Sequence, residues 1–344
     1  MKRFILIAMA AASVFASCSK ASVVVPDDEA WVNDESLPVP VTFSAPGLDL
    51  SLTKAIVNGT IEGSVMNGLD IGVFGLATVD GVPAWSDNAD GVLINNRRVT
   101  TGEDGSVTFD PKVYYPSDND LNYSFYAYYP YNGAQDNGNS YSVNFTIGYT
   151  DVLWAEEHAI SFGTDPRYEG FNAEYCRYVK KIGRTDLMPA LNFQHLLTAL
   201  RFVAKAAADL DNITVYRVVV KDVNTKGVLE VAGPDAGTMT FSEPGERPLK
   251  LTADANTSIL DVAPTVAGAE LGTVILEPMN TVTVEVTLKL DNNTSNTVTA
   301  SLNGNFTAGH RYTLTLTVNS PEEVEISTSL DPWVDEGGSG STIG

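Results

Sequence analysis

A two-residue period dominates this sequence. In TVTVEVTLKL, residues 281–290, Val282, Val284, Val286 and Leu288 fall at every second position, with Thr, Glu and Lys around them. Successive side chains of an extended strand point to opposite faces, so this spacing makes one apolar and one polar face. A helix would scatter the same residues around its surface. The period returns in VPVTFSA (39–45), GLDLSLT (47–53), IGVFGLAT (71–78), YSFYAYYPY (123–131), YSVNFTIGY (141–149), ITVYRVVVKDV (213–223), RYTLTLTV (311–318) and VEISTSL (324–330). Gly, Asn, Asp and Pro punctuate the runs, and Thr, Val and Tyr fill them, as pleated surfaces favour. The chain is expected to be all-β.

One stretch admits two periods. LNFQHLLTALRFVAKA, residues 191–206, offers a helical stripe of Leu196, Leu197, Leu200 and Val203. It also alternates at Leu191, Phe193, His195 and Leu197, and again at Leu200, Phe202 and Ala204. The reading adopted is a strand, or a short helical turn running into one. Just before it, KKIGRTDLMPA (180–190) carries basic, Gly and Pro residues between two β-rich halves of similar size, and a domain boundary is placed there.

The N-terminus reads as a targeting segment. Lys2 and Arg3 precede an apolar run that ends in Ala16-Ser17-Cys18, too short to span a bilayer. Ala-Ser-Cys matches a bacterial lipobox, although Phe15 stands where Leu is usual, and Cys18 is the expected acylation site. Residues 1–17 are then a signal peptide. Residues 18–40, rich in Ser, Pro and acid, are read as a lipidated linker. The only other cysteine is Cys176, so an acylated Cys18 leaves no partner for a disulfide and Cys176 is read as a structural thiol. With 43 acidic against 21 basic residues and a net charge of −22, no nucleic-acid partner is expected.

The search for chemistry finds no constellation. His158, His195 and His310 lie in AEEHA, FQHLL and AGHRY, with no spacing that suits a metal. His158 beside Glu156 and Glu157 is the best metal candidate, and a solvated loop is the preferred reading. SDNADGVLINNR fails as a calcium loop, because Arg97 falls where a bidentate glutamate is needed. There is no GxSxG nucleophile elbow and no phosphate-cradling glycine loop. Neither a catalytic residue, nor a metal site, nor a cofactor is expected, and the chain is not read as an enzyme. The tyrosine cluster remains. Parity puts Tyr123, Phe125 and Tyr129 on one face and Tyr126 and Tyr128 on the other; one face is read as core, and the other either packs beneath a loop or neighbour or forms a possible ligand platform.

Several segments in order resemble one family. They are ASCSK, VTFSA, DIGVFGLAT, VYYP with YSFYAYYPY, YTDVLWA, LNFQHLLTALRFVAK, FTAGHRYTLTLTV and LDPW. The set is similar to the Bacteroidales fimbrillin superfamily of FimA-like and Mfa-like pilin lipoproteins. The resemblance implies two transthyretin-like β-sandwich domains in tandem, here residues 41–185 and 186–344, the second with a flexible tail. It implies export as an outer-membrane lipoprotein of the cell surface and removal of an N-terminal strand by a trypsin-like protease. Assembly into a fimbrium with other fimbrial subunits would follow by strand addition.

Carried onto this chain, residues 47–54 are the candidate removable strand, with Leu48, Leu50 and Leu52 on one face and a cut between Lys54 and Ala55. The family cut usually follows an Arg, and this chain has none between Arg3 and Arg97. His195 and Trp333 are expected to be structural. Partners are other subunits, the membrane through Cys18, and a host or bacterial surface ligand. The alternative reading is a glycan- or ligand-binding surface lipoprotein built on the tyrosine platform.

Overall fold

The strand at the centre of the first half has no solvent face. The computed structural model describes residues 29–43, 68–79, 82–83, 91–102, 106–117, 121–133, 135–136, 139–158, 170–207, 210, 212–291 and 294–331. Cys18, Leu48, Leu50, Leu52, Lys54, Ala55 and Trp333 lie outside the described residues.

The first half contributes strands β1 (Asp70–Val79), β2 (Val82–Pro83), β3 (Val92–Thr100), β4 (Asn122–Tyr129), β5 (Gln135–Asp136), β6 (Asn139–Thr146) and β7 (Leu153–Glu157), then helix α1 (Ala173–Lys181). The second contributes β8 (Gln194–His195), β9 (Thr198–Ala206), β10 (Ile213–Glu230), β11 (Met239–Pro248), β12 (Ala269–Leu276), β13 (Met279–Leu290), β14 (Ser295–Phe306), β15 (Arg311–Ser320) and β16 (Glu323–Asp331). The chain is all-β in class, as the alternation requires.

Three sheets form. The first runs β2-β1-β4-β7-β8, with β3 also on β1. The second runs β14-β13-β10-β6-β5, with β11 on β10, and the third runs β12-β9-β15-β16. Residues 191–206 resolve as β8 and β9, so the two-residue period prevails over the helical stripe. β15 lies parallel to β9, with Leu314 opposite Phe202 and Leu316 opposite Ala204.

On β4, Tyr123, Phe125 and Ala127 join a core with Ile71, Val73 and Phe171. Tyr126 and Tyr128 join a different core with Phe74, Val143, Trp154 and Phe202. The second core also holds the facing surfaces of sheets two and three: Val282, Val284 and Val286 from β13, and Leu314, Leu316 and Val318 from β15. The first sheet therefore packs its back against the second half.

Chain exchange reinforces this join. β6 leaves the first half and pairs with β10 in the second sheet, from Ser142 opposite Glu230 to Thr146 opposite Lys226. The chain then returns as β7 to pair with β4. In the other direction, β8 pairs with β7 in the first sheet. The expected division at residue 185 is thus crossed by strands both ways. Trp154 closes the seam: its indole Nε1 donates to the Val231 carbonyl at 2.8 Å. Gly237, with φ +82°, passes under that ring, where an added Cβ would come within 2.7 Å of it.

The other face of the first sheet is covered by a helix and irregular chain among the described residues. α1 was not expected from sequence, yet its signals are present. Asn172 caps it, accepting from the Tyr175 N–H at 2.7 Å. Glu174 lies in its first turn, and Lys180 and Lys181 lie in its last. Gly183 ends it at φ +74°. Ala173, Cys176 and Val179 form its buried stripe.

The expected linker is shorter than read. Within residues 29–43, Trp31, Val39, Val41 and Phe43 are packed into the first core. Val41 N–H donates to Val113 O at 2.8 Å, and Tyr115 N–H donates to Val39 O at 3.0 Å.

Because the halves share strands and a core, they should unfold together. Phe125→Ala, which empties a fully buried site in the first core, should cost about 3–5 kcal/mol. It should shift the denaturation midpoints of both halves equally, read by hydrogen exchange at β4 and at β13. Separate midpoints would contradict the shared core.

Candidate functional site

The segment 29–43 and the surface beneath it enclose the cleft that stands out in the structure. Its volume is about 480 Å³, and its floor is Trp31, Val41, Phe43, Val107, Phe109 and Met188. Glu29, Lys112 and Lys180 stand at its rim. Phe43 is the keystone: its ring lies 5.3 Å edge-on from Phe125 and 6.1 Å from Phe109. The guanidinium of Arg97 sits over the Phe109 ring at 5.4 Å.

α1 holds the segment in place by polar contacts. Arg177 donates from Nε to Trp31 O and from Nη2 to Leu37 O, each at 2.8 Å. Lys180 Nζ pairs with Glu29 Oε1 at 2.9 Å. The segment thus has an apolar underside, a two-bond ladder to residues 113–115, and a helix clamping its start. Sequence reading put the first part of it in the linker. The alternation of Val39, Val41 and Phe43 was the available signal.

His195 is packed and paired. Its ring is buried, and Nδ1 meets Oδ2 of buried Asp151. The other oxygen of that carboxylate accepts from the Val152 N–H at 2.8 Å. One residue on, Leu196 N–H donates to Val152 O at 2.9 Å. The pair ties the short β8 to the start of β7. Asp151 was not singled out from sequence, since the two residues are 44 positions apart.

Tyr126 and Tyr128 require a correction. They are 1% and 0% exposed, so they cannot serve as an open ligand platform. The second half covers the face on which sequence parity placed them. Tyr128 hydroxyl bonds to Asn96 Oδ1 at 2.6 Å and Asn132 O at 2.7 Å. Burial pushes its pKa up to about 12. Burial also pushes up Tyr126, helped by the charge of Glu156.

The remaining chemistry-bearing groups are scattered. His158 Nδ1 lies 2.7 Å from Ser124 Oγ, and Nε2 lies 3.2 Å from Glu156 Oε2. Among the described residues no group of three or more His, Cys, Asp or Glu is placed to hold a metal. Cys176 is buried on the inner face of α1, and burial pushes its thiol up to about 12, which suppresses the reactive thiolate.

Two outcomes follow from these contacts. His195→Gln breaks the pair with Asp151 and should lower stability by about 1–3 kcal/mol, measured by urea unfolding. An unchanged midpoint would contradict the pairing. The Glu157 carboxyl is pushed up to about 7 from 4.5, first by burial and then by Glu156. The fold favours its neutral form, so its stabilising contribution is complete below pH 4.5 and is lost as pH rises through 7. Glu157→Gln should therefore stabilise the protein at pH 8, by about 1 kcal/mol once solvent screening is allowed for. At pH 4 it should change nothing.

The fimbrillin-like family model matches residues 53–333. A candidate cell adhesion protein from Bacteroides uniformis shares the fold at TM-score 0.51 and 18% identity, over 87% of this chain and 99% of that one. A second, from Bacteroides ovatus, has TM-score 0.51 and 17% identity over the same shares. No curated protein matches the sequence. The matched span takes in both halves and all three sheets, and the chain belongs to the fimbrillin-like family.

Proposed function

We propose that the chain is a structural or adhesive subunit of a cell-surface fimbria, built by strand addition, and not an enzyme. The observation that carries the proposal is the place of residues 29–43. They precede Lys54, yet Trp31, Val39, Val41 and Phe43 belong to the first core. A cut after Lys54 separates them from the rest of the chain. With them would go Leu48, Leu50 and Leu52, the alternating leucines of the candidate removable strand.

The physics of release favours assembly. Burial of Val39, Val41 and Phe43 contributes about 1.5–3 kcal/mol each. Losing them bares apolar surface over Val107, Phe109 and Met188, and frees the main chain at residues 113–115. Such a groove takes up an extended segment from a neighbour, with main-chain bonds for affinity and alternate side chains for fit. On this reading Cys18 carries the lipid that brings the precursor to the outer membrane. His195 and Trp333 serve the structure, and the surface ligand is a host or bacterial molecule.

Trypsin acting on the folded Cys18→Ala protein tests the reading. It should give a new N-terminus at Ala55 and heat-resistant oligomer ladders, whereas Lys54→Gln should leave monomer. Complete cutting at Lys54 with a persistent monomer of unchanged stability would overturn it.

A further inference from the structure

An unpaired sheet edge invites another strand, and folded chains usually blunt it with short strands, charges, prolines or bulges. Most edges among the described residues are blunted in this way. β2, β5 and β8 are two residues long. β3 carries Arg97 and Arg98, and its register with β1 shifts twice. β11 contains Pro244 and Pro248, and Glu243 sits in it at φ +59°. β12 is shifted at Gly272, and Gly148 bridges to its Ile275. β16 carries Glu323 and Glu325.

β14 is the exception. It ends the second sheet beside β13, and among the described residues no strand pairs with its outer edge. It is 12 residues long and has no proline. The nearest charged residues in sequence are Asp291 and Arg311, on either side of it. Its register with β13 is unbroken from Asn303 opposite Thr281 to Ser295 opposite Lys289. Alternate main-chain N–H and C=O groups of such an edge point away from the sheet. Thr297, Thr299, Ser301 and Asn303 form its exposed face. Val298, Ala300 and Leu302 form the other face and are only partly buried against the second core. A further strand along this edge would extend their cover.

We propose that β14 is an interface between two copies of this chain, paired antiparallel about a two-fold axis at Ala300, so that their second sheets become one. In that register Ala300 meets Ala300 of the partner subunit, and Val298 meets Leu302 of the partner subunit. On the exposed face Thr299 meets Ser301 of the partner subunit, and Thr297 meets Asn303 of the partner subunit. Apolar residues face apolar ones and hydroxyl or amide groups face their like, as an isologous contact requires. Charge selects a second copy as the occupant. With 43 acidic residues against 21 basic, two copies oppose like charges over most approaches, whereas β14 against β14 opposes none. The net charge of −22 still resists the approach, so the pairing of free chains is weak and tightens as salt screens it.

Sedimentation equilibrium of the uncut Cys18→Ala chain tests the proposal, at chain concentrations up to about 1 mM. A monomer–dimer equilibrium should appear and shift towards dimer as salt is raised. Two double variants read the register. Thr299→Lys with Ser301→Lys puts lysine opposite lysine twice across the axis, and should weaken the dimer by about tenfold or more. Thr299→Lys with Ser301→Glu puts lysine opposite glutamate twice, and should restore it. Both positions are exposed, so both variants should keep the parent urea midpoint. A chain that stays monomeric throughout, a dimer that the two lysines leave unchanged, or a dimer that both variants weaken equally would overturn the proposal. The pairing needs no cut at Lys54, so ladders of trypsin-cut chain are a separate readout. Ladders without the dimer remove this interface alone, and the dimer without ladders removes strand addition alone.

Discussion

β4 has two buried faces, and the rest of the structure depends on that. An exposed sheet face tolerates polar residues at alternate positions. β4 instead carries Tyr123, Phe125 and Ala127 towards one core and Tyr126 and Tyr128 towards another. Each face must be covered. The second half covers one face permanently, with β6 stitched into its sheet and Trp154 bonded across the seam. The other face is covered by α1, residues 107–115 and the N-terminal segment 29–43.

These two coverings differ in kind. The first is held by strand exchange and a core that runs through three sheets, so it cannot be removed without unfolding. Part of the second is an N-terminal segment held by two ladder bonds, a clamping arginine, the Lys180–Glu29 pair and four apolar side chains. A subunit that assembles by replacing part of its own core needs both: a frame that survives the loss and a piece that can be lost. On the proposed reading, the net charge of −22 keeps unassembled copies apart, and strand addition supplies the specific contact that outweighs the repulsion.

Much of the fold was legible because β alternation is local. The runs at 281–290 and 311–318 became β13 and β15, and the ambiguous 191–206 became β8 and β9. His195 was read as packed because nothing near it could join a reaction. The Asp151 partner was hidden by a separation of 44 residues. The same limit hid the pairing of β6 with β10. Tyr126 and Tyr128 stayed open between packing and ligand binding because parity divides a strand into two faces without saying what covers each, and the structure buries both. α1 was missed because nine residues barely exceed two turns, although Asn172 and Gly183 mark its ends. Trp31 was lost in an acidic, proline-bearing stretch whose composition suggests a linker. The tertiary partners Arg177 and Lys180 override that composition.

The central claim is that Trp31, Val39, Val41 and Phe43, which the structure places in the core, are absent from the assembled subunit. Mass spectrometry of the N-terminal peptides of subunits taken from intact surface polymers tests it most directly. The account predicts that polymerised subunits begin at Ala55 and lack Trp31, Val39, Val41 and Phe43. Polymerised subunits that still begin at an acylated Cys18, with residues 29–43 in place, would contradict it.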